Sequence, residues 1–118
     1  MKKLRVCELF GGIGGFSLGF QRAFRKENME VVFYNDFDKY AVNIYNKNFG
    51  TDWKPSDIRD IKAKDIPDFD LLCGGFPCQA FSVAGKRQGF NDTRGTMFFE
   101  IERILKVKRP QFVLLENV

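Results

Sequence analysis

Cys78 directly follows a proline in Gly74-Gly75-Phe76-Pro77-Cys78-Gln79, where the short apolar run Phe69 to Cys73 gives way to a glycine-rich turn. Proline holds φ at about −65° and the flanking glycines let a ligand approach the backbone, so a sulfur placed here is aimed rather than packed. The competing reading is a small buried cysteine, the commonest state of a free thiol. The chain has no histidine, so a nucleophilic cysteine could not belong to a Cys-His pair and its thiolate needs another source. The 3 cysteines, at positions 7, 73 and 78, form neither a disulfide framework nor a CxxC pair, and they provide no zinc ligand set. A metal is not expected.

Other residues invite chemistry at comparable places. Glu116 ends the apolar strand Phe112 to Leu115, where burial would raise a carboxyl pKa and suit it to donate a proton to a heterocycle; a strand-end acid can equally be exposed or cap something. Gly11-Gly12-Ile13-Gly14-Gly15 follows the first strand. The dinucleotide fingerprint G-x-G-x-x-G, read from Gly12 and Gly14, needs glycine at 17, where Ser17 stands. The turn still admits a cofactor against the backbone, and Asp36 at the end of the second strand can accept from two ribose hydroxyls; together they suit an adenosine cofactor. Asp36 alone could instead cap the next helix. Phe37 either stacks on a purine or packs as a staple, and Asp57 either receives a purine amino group or makes a turn.

These residues need a frame. Leu4 to Phe10 reads as a strand, followed by a helix carrying Phe16, Phe20, Ala23 and Phe24. Glu30 to Asn35 is a second strand, and a second helix presents Tyr40, Ala41, Ile44, Tyr45 and Asn48 before stopping at Gly50. A weak third strand is expected over Lys54 to Ile58, at an edge because of Pro55, and another over Phe69 to Cys73. Gly74 to Thr96 reads as a long functional loop, then comes a helix with Phe98, Ile101, Ile104 and Leu105 buried, ended by Pro110 before the strand Phe112 to Leu115. The alternation predicts an α/β fold, with a mostly parallel sheet, helices on both faces and a ligand site at the carboxyl ends of the strands.

At 118 residues with 14 phenylalanines the chain fits one domain, residues 1–118, with no internal boundary. No apolar run reaches membrane-spanning length and no secretory signal opens the chain, which reads as cytoplasmic. The net charge of +4 points only weakly to an anionic partner. Lys86, Arg87, Arg94, Arg103, Lys106, Lys108 and Arg109 outnumber the nearby acids and form either a solvated helix face or a phosphate-facing one. Ending at a strand, the chain reads as cut short.

Five blocks in order, Phe10 to Phe16, Asp36-Phe37-Asp38, Gly75 to Ser82, Asp92-Thr93-Arg94-Gly95 and Glu116-Asn117-Val118, resemble the cytosine-5 DNA methyltransferases of bacterial modification systems. The resemblance implies a Rossmann-like, S-adenosylmethionine-dependent methyltransferase fold, here truncated to the N-terminal part of the catalytic domain. It implies that Cys78 attacks C6 of a flipped-out cytosine in double-stranded DNA, that Glu116 protonates N3, and that C5 then takes the methyl group of S-adenosyl-L-methionine. By the same resemblance Phe10, Gly12, Gly14, Gly15, Asp36, Phe37, Asp57, Ile58, Gly75 and Pro77 serve the cofactor. Gln79, Ser82, Lys86, Arg87 and Arg94 face DNA.

Where the family often carries glutamate and tryptophan this chain has Asp36-Phe37, a shorter acid that still reaches the ribose and a ring that still stacks. The family's Gln-x-Arg-x-Arg arginine, target-recognition domain and C-terminal returning helix are absent. The expectation is therefore a segment inactive alone, about the first third of a usual enzyme, completed by a complementary C-terminal subunit or continuation, in a bacterial cytoplasm near the nucleoid. Alternatives are a catalytically silent cofactor- or DNA-binding fragment, an RNA cytosine methyltransferase of the same family, and a NAD-type oxidoreductase.

Overall fold

The structure is a computed structural model that describes residues 2–76 and 97–117 in full and residues 93–96 as helical backbone. Four parallel strands, β1 (Leu4–Leu9), β2 (Met29–Asn35), β3 (Leu71–Gly75) and β4 (Phe112–Glu116), form one sheet in the order β2-β1-β3-β4. Helix α1 (Gly15–Phe24) joins β1 to β2, α2 (Lys39–Phe49) follows β2, and α3 (Thr93–Lys108) precedes β4. The chain steps outward one way from β1 to β2 and the other way from β3 to β4. The order reverses between β1 and β3, and in open parallel sheets the crevice beyond the carboxyl ends at that point is where ligands bind.

Side-chain alternation assigns the two faces. Cys7, Leu9 and Leu72 pack with Ile101 and Ile104 of α3 and with Ile58, Ala63, Ile66 and Phe69 of the connection before β3. Val6, Leu71 and Cys73 face the other way, against Phe16 and Phe20 of α1. Both faces of β1 and β3 are thus covered, as a parallel sheet requires. An extra residue in β2, between the pairs Val6↔Val31 and Cys7↔Phe33, shifts the register and puts Tyr34 opposite Glu8. Such a bulge moves every later side chain to the other face. Tyr34 thereby joins Val42 and Tyr45 of α2 in a third cluster, its ring stacked on Tyr45 with centroids 3.9 Å apart.

Four expectations are corrected. Lys54 to Ile58 is not a strand: its Ser56 N–H bonds to the carbonyl of Asp36, just past β2, and the Asn35 side-chain amide supplies further bonds to Ser56. A side chain takes the place of a ladder there. The long loop is shorter at both ends, since Gly74 and Gly75 pair within β3 and α3 begins at Thr93. The inward face of α2 is Val42 and Tyr45, with Tyr40 at 71% exposure, and Phe24 of α1 is also exposed. Arg103 lies on neither a free solvated face nor a phosphate-facing one; its guanidinium is bonded to backbone carbonyls.

Candidate functional site

The glycine turn after β1 is shaped by packing as much as by ligand access. Phe10, Gly12 and Gly14 all have positive φ, 52°, 56° and 103°. A Cβ on Gly14 would lie 2.2 Å from the Phe49 ring, so only glycine fits between the turn and α2. Gly15, the first residue of α1, has nothing within 4 Å of such a Cβ. Its side faces open space, where a ligand can reach the backbone at the helix start.

Asp36 ties this turn to β2. Its Oδ2 accepts from Gly12 N–H at 2.9 Å and its Oδ1 from Asp38 N–H at 2.9 Å. The cap of α2 is Asp38, which accepts from Tyr40 N–H and Ala41 N–H, so Asp36 is free of that duty. A carboxylate oxygen has two lone-pair sites, and each oxygen of Asp36 spends one on the backbone. The other pair remains for two neighbouring hydroxyls. Phe37 beside it is 76% exposed, its ring available for stacking. The Tyr34 hydroxyl donates to the Gly12 carbonyl at 2.6 Å, holding the turn from the other side.

Beneath the turn lies a group that motif reading missed. Glu8 is fully buried; the Ser17 hydroxyl donates to its Oε1 and lies 2.8 Å from the Tyr45 hydroxyl. Its Oε2 has no partner. Burial pushes the Glu8 pKa up to about 7, against the opposing effect of the Ser17 and Tyr45 hydrogen bonds. Ser17, the residue that breaks the dinucleotide fingerprint, is thus the partner of a buried acid. The available signal was an acid inside an apolar strand, at a position whose alternation with Val6 turns it toward α1.

Asp57 caps the 3-10 turn Ile58–Asp60 and is paired with Arg59, whose Nη2 donates to Oδ2 at 2.6 Å and whose backbone N–H donates to Oδ1 at 2.9 Å. Hydrogen bonds from the Arg59 side chain, then from its backbone, hold the Asp57 pKa down to about 2. It makes the turn. The Ile58 side chain is buried in the core, which leaves only its backbone to meet a cofactor.

At the other side of the switch point, Gly75 pairs in register with Glu116. A Cβ on Gly75 would come within 2.8 Å of Glu116 Oε2, so the glycine leaves room for that carboxylate to lie over β3. Glu116 is exposed, one of the two states open to an acid at a strand end. The strand lies at the sheet edge, and Phe112, Val113 and Leu114 are exposed as well. Phe10, Gly11, Gly15, Phe16, Gly75 and Glu116 together line an open cleft of about 430 Å³. Residues from the ends of three strands and the start of α1 thus meet at the switch point, in the size range of small-molecule sites.

Cys7 and Cys73 are buried, and burial raises both thiol pKa values, so neither is a plausible thiolate. Pro77, Cys78, Gln79, Ser82, Lys86 and Arg87 lie outside the described residues, as does the side chain of Arg94. Among the described residues no group of His, Cys, Asp and Glu could hold a metal ion, and no helix is long and apolar enough to cross a membrane.

Residues 4–118 match the family model described as C-5 cytosine-specific DNA methylase. Over 98% of its length the chain is 56% identical to the type II methyltransferase M1.ScrFI of Lactococcus lactis subsp. cremoris, of which it covers 29%. It is 50% identical to M.HhaI of Haemophilus parahaemolyticus over 98% of the chain and 34% of that protein. Among solved structures, the Dnmt2 methyltransferase of S. pombe superposes with a TM-score of 0.79 at 32% identity, covering 99% of this chain and 35% of that one. The chain spans about a third of the length of these relatives. With its parallel sheet, its glycine turn and a match over nearly every residue, the chain belongs to the C-5 cytosine-specific DNA methylase family.

Proposed function

We propose that this chain is the cofactor-binding and nucleophile-bearing part of a DNA (cytosine-5-)-methyltransferase that modifies a flipped-out cytosine in duplex DNA. The observation that carries the reading is the cleft at the switch point, where the glycine turn and the Gly75–Glu116 pair face one another. S-adenosyl-L-methionine, when bound, supplies an electrophilic methyl group on a sulfonium sulfur. The donor set fits it: backbone N–H groups at the α1 start for a carboxylate, Asp36 for the ribose hydroxyls, and the exposed Phe37 ring for the purine.

The substrate chemistry falls to two residues. Cytosine C5 is a weak nucleophile until a thiolate adds at C6 and a proton is placed on N3. Cys78 follows Gly75 by three residues, and covalent reach alone keeps their Cα atoms within about 11 Å of each other. The Glu116 carboxyl lies over Gly75, which supports assigning both groups to one end of the cleft. In the proposed cycle the Cys78 thiolate bonds to C6 as Glu116 gives its proton to N3, and C5 takes the methyl group as the sulfonium–methyl bond breaks, leaving S-adenosylhomocysteine. Loss of the C5 proton to solvent then expels the Cys78 thiolate as the C5–C6 double bond re-forms, and N3 returns its proton to Glu116. Flipping is required because the sulfur cannot reach C6 in a stacked duplex. Gln79, Ser82, Lys86, Arg87 and Arg94 are proposed to meet the DNA.

The test is trapping with a duplex containing 5-fluorocytosine, whose fluorine cannot leave as a proton. The intact protein with S-adenosylmethionine should form a complex that survives denaturing electrophoresis and disappears in Cys78→Ser. An adduct on transfer RNA in place of DNA would move the substrate to RNA, and no adduct on either would sink the covalent mechanism.

A further inference from the structure

Arg103, Lys106 and Lys108 of α3 have different partners. Lys106 lies 3.6 Å from Glu102, and Lys108 reaches Asp68 at 3.2 Å, both surface pairs of small energetic weight. Arg103 instead reaches across to the connection before β3. Its Nη1 donates to the Ile61 carbonyl at 2.8 Å and its Nη2 to the Ile58 carbonyl at 3.1 Å, while its Nε donates to Glu100 Oε1 at 2.9 Å. Ile58 opens the 3-10 turn capped by Asp57, and Ile61 closes it. The turn's own bond, Ile61 N–H to the Ile58 carbonyl, shares an acceptor with the guanidinium. One planar fork, anchored by Glu100, therefore spans both ends of the turn, while the Ile58 side chain packs beneath it in the same core cluster as Ile101 and Ile104 of α3.

We propose that Arg103 is a positioning residue for cofactor recognition: by clamping the Ile58 and Ile61 carbonyls it sets where the Asp57 cap and the Ile58 backbone stand, and it ties that end of the site to α3. The inference rests on the cofactor role that the family resemblance implies for Asp57 and Ile58, taken here as the contact to the purine amino group. A point charge cannot reproduce a two-carbonyl fork, so lysine is a poor replacement. The arrangement also makes α3, the helix that follows Cys78 in sequence, a support of the turn on the cofactor side.

The experiment is calorimetric titration of the intact protein with S-adenosylhomocysteine and with its 6-oxo (inosine) analogue, which lacks the purine amino group. The wild type should prefer the adenosine form. Arg103→Met should weaken that form about tenfold and the inosine analogue much less, shrinking the preference, and Arg103→Lys should restore only part of it. Glu100→Gln, which keeps the guanidinium but loosens its anchor, should shift the preference in the same direction by about threefold, and it serves if Arg103→Met does not fold. A preference unchanged in the variants, even with both affinities lowered together, would overturn the proposal and leave Arg103 a purely structural clamp. A wild type that binds neither ligand would instead overturn the cofactor reading, and one that binds both equally would overturn the purine contact; the inference falls with either.

Discussion

The two sides of the switch point are built differently. On the β1–β2 side each functional element is held by side chains from within the chain: Gly12 by Asp36 and Tyr34, Glu8 by Ser17, and Ser56 by Asn35. On the β3–β4 side the described residues present an exposed carboxylate over a glycine, on an edge strand whose apolar side chains are also exposed. Binding needs a preformed cradle, whereas the chemical step needs groups brought together only around substrate. The first side should therefore matter to the fold and the second to reactivity.

Four substitutions can break or sharpen that contrast. The largest loss is expected for Gly14→Ala, which combines a left-handed φ with a collision against Phe49; it should cost about 3 kcal/mol or more in denaturant unfolding. A cost below about 1 kcal/mol would mean that the turn yields easily. Next is Glu8→Gln. Its folded-state pKa of about 7 exceeds the ordinary 4.5, so its stabilising contribution is complete below about pH 4.5 and fades as pH rises through 7. On the order of 3 kcal/mol should be lost by the wild type across that window, and the glutamine variant should show a flatter profile in pH-dependent melting. An unchanged slope would show that Glu8 is not the titrating group.

Asp36→Ala removes acceptors for two backbone N–H groups and should lower stability by about 1 kcal/mol while weakening cofactor binding roughly thirtyfold, read by titration calorimetry. Equal affinity in the variant would detach Asp36 from the ribose. The smallest stability effect belongs to Glu116→Gln, which should stay within about 0.5 kcal/mol of wild type because the side chain is exposed. Its methyl-transfer rate in the complete enzyme should nevertheless fall about a hundredfold or more. A large melting shift with an intact rate would reverse the comparison of the two sides.

Much of this was legible from residue order. Strands β1, β2, β3 and β4 and all three helices follow from hydrophobic period and glycine or proline punctuation, because those signals are local. The Lys54 to Ile58 strand failed for a reason that no local signal carries: a single backbone bond and the Asn35 amide replace the ladder. On α2 the expected Tyr45 does face inward, but Tyr40 and Ile44, apolar by type, are exposed, and Val42 joins Tyr45 where the bulged Tyr34 meets the helix. Arg103 looked like one more surface charge, since nothing in its neighbours names carbonyls more than 40 positions away.

By itself the sequence determined the alternating α/β order, the glycine turn, the Asp36 and Glu116 positions at strand ends and the family, all of which depend on residue types at short spacing. Tertiary structure alone decided that Ser17 answers a buried Glu8, that the β2 bulge brings Tyr34 onto Gly12, and that Gly75 opens the space Glu116 fills. Those depend on register and burial, which arise only when distant segments pack. A period-2 pattern specifies which face a side chain occupies, but one inserted residue in a strand reverses it.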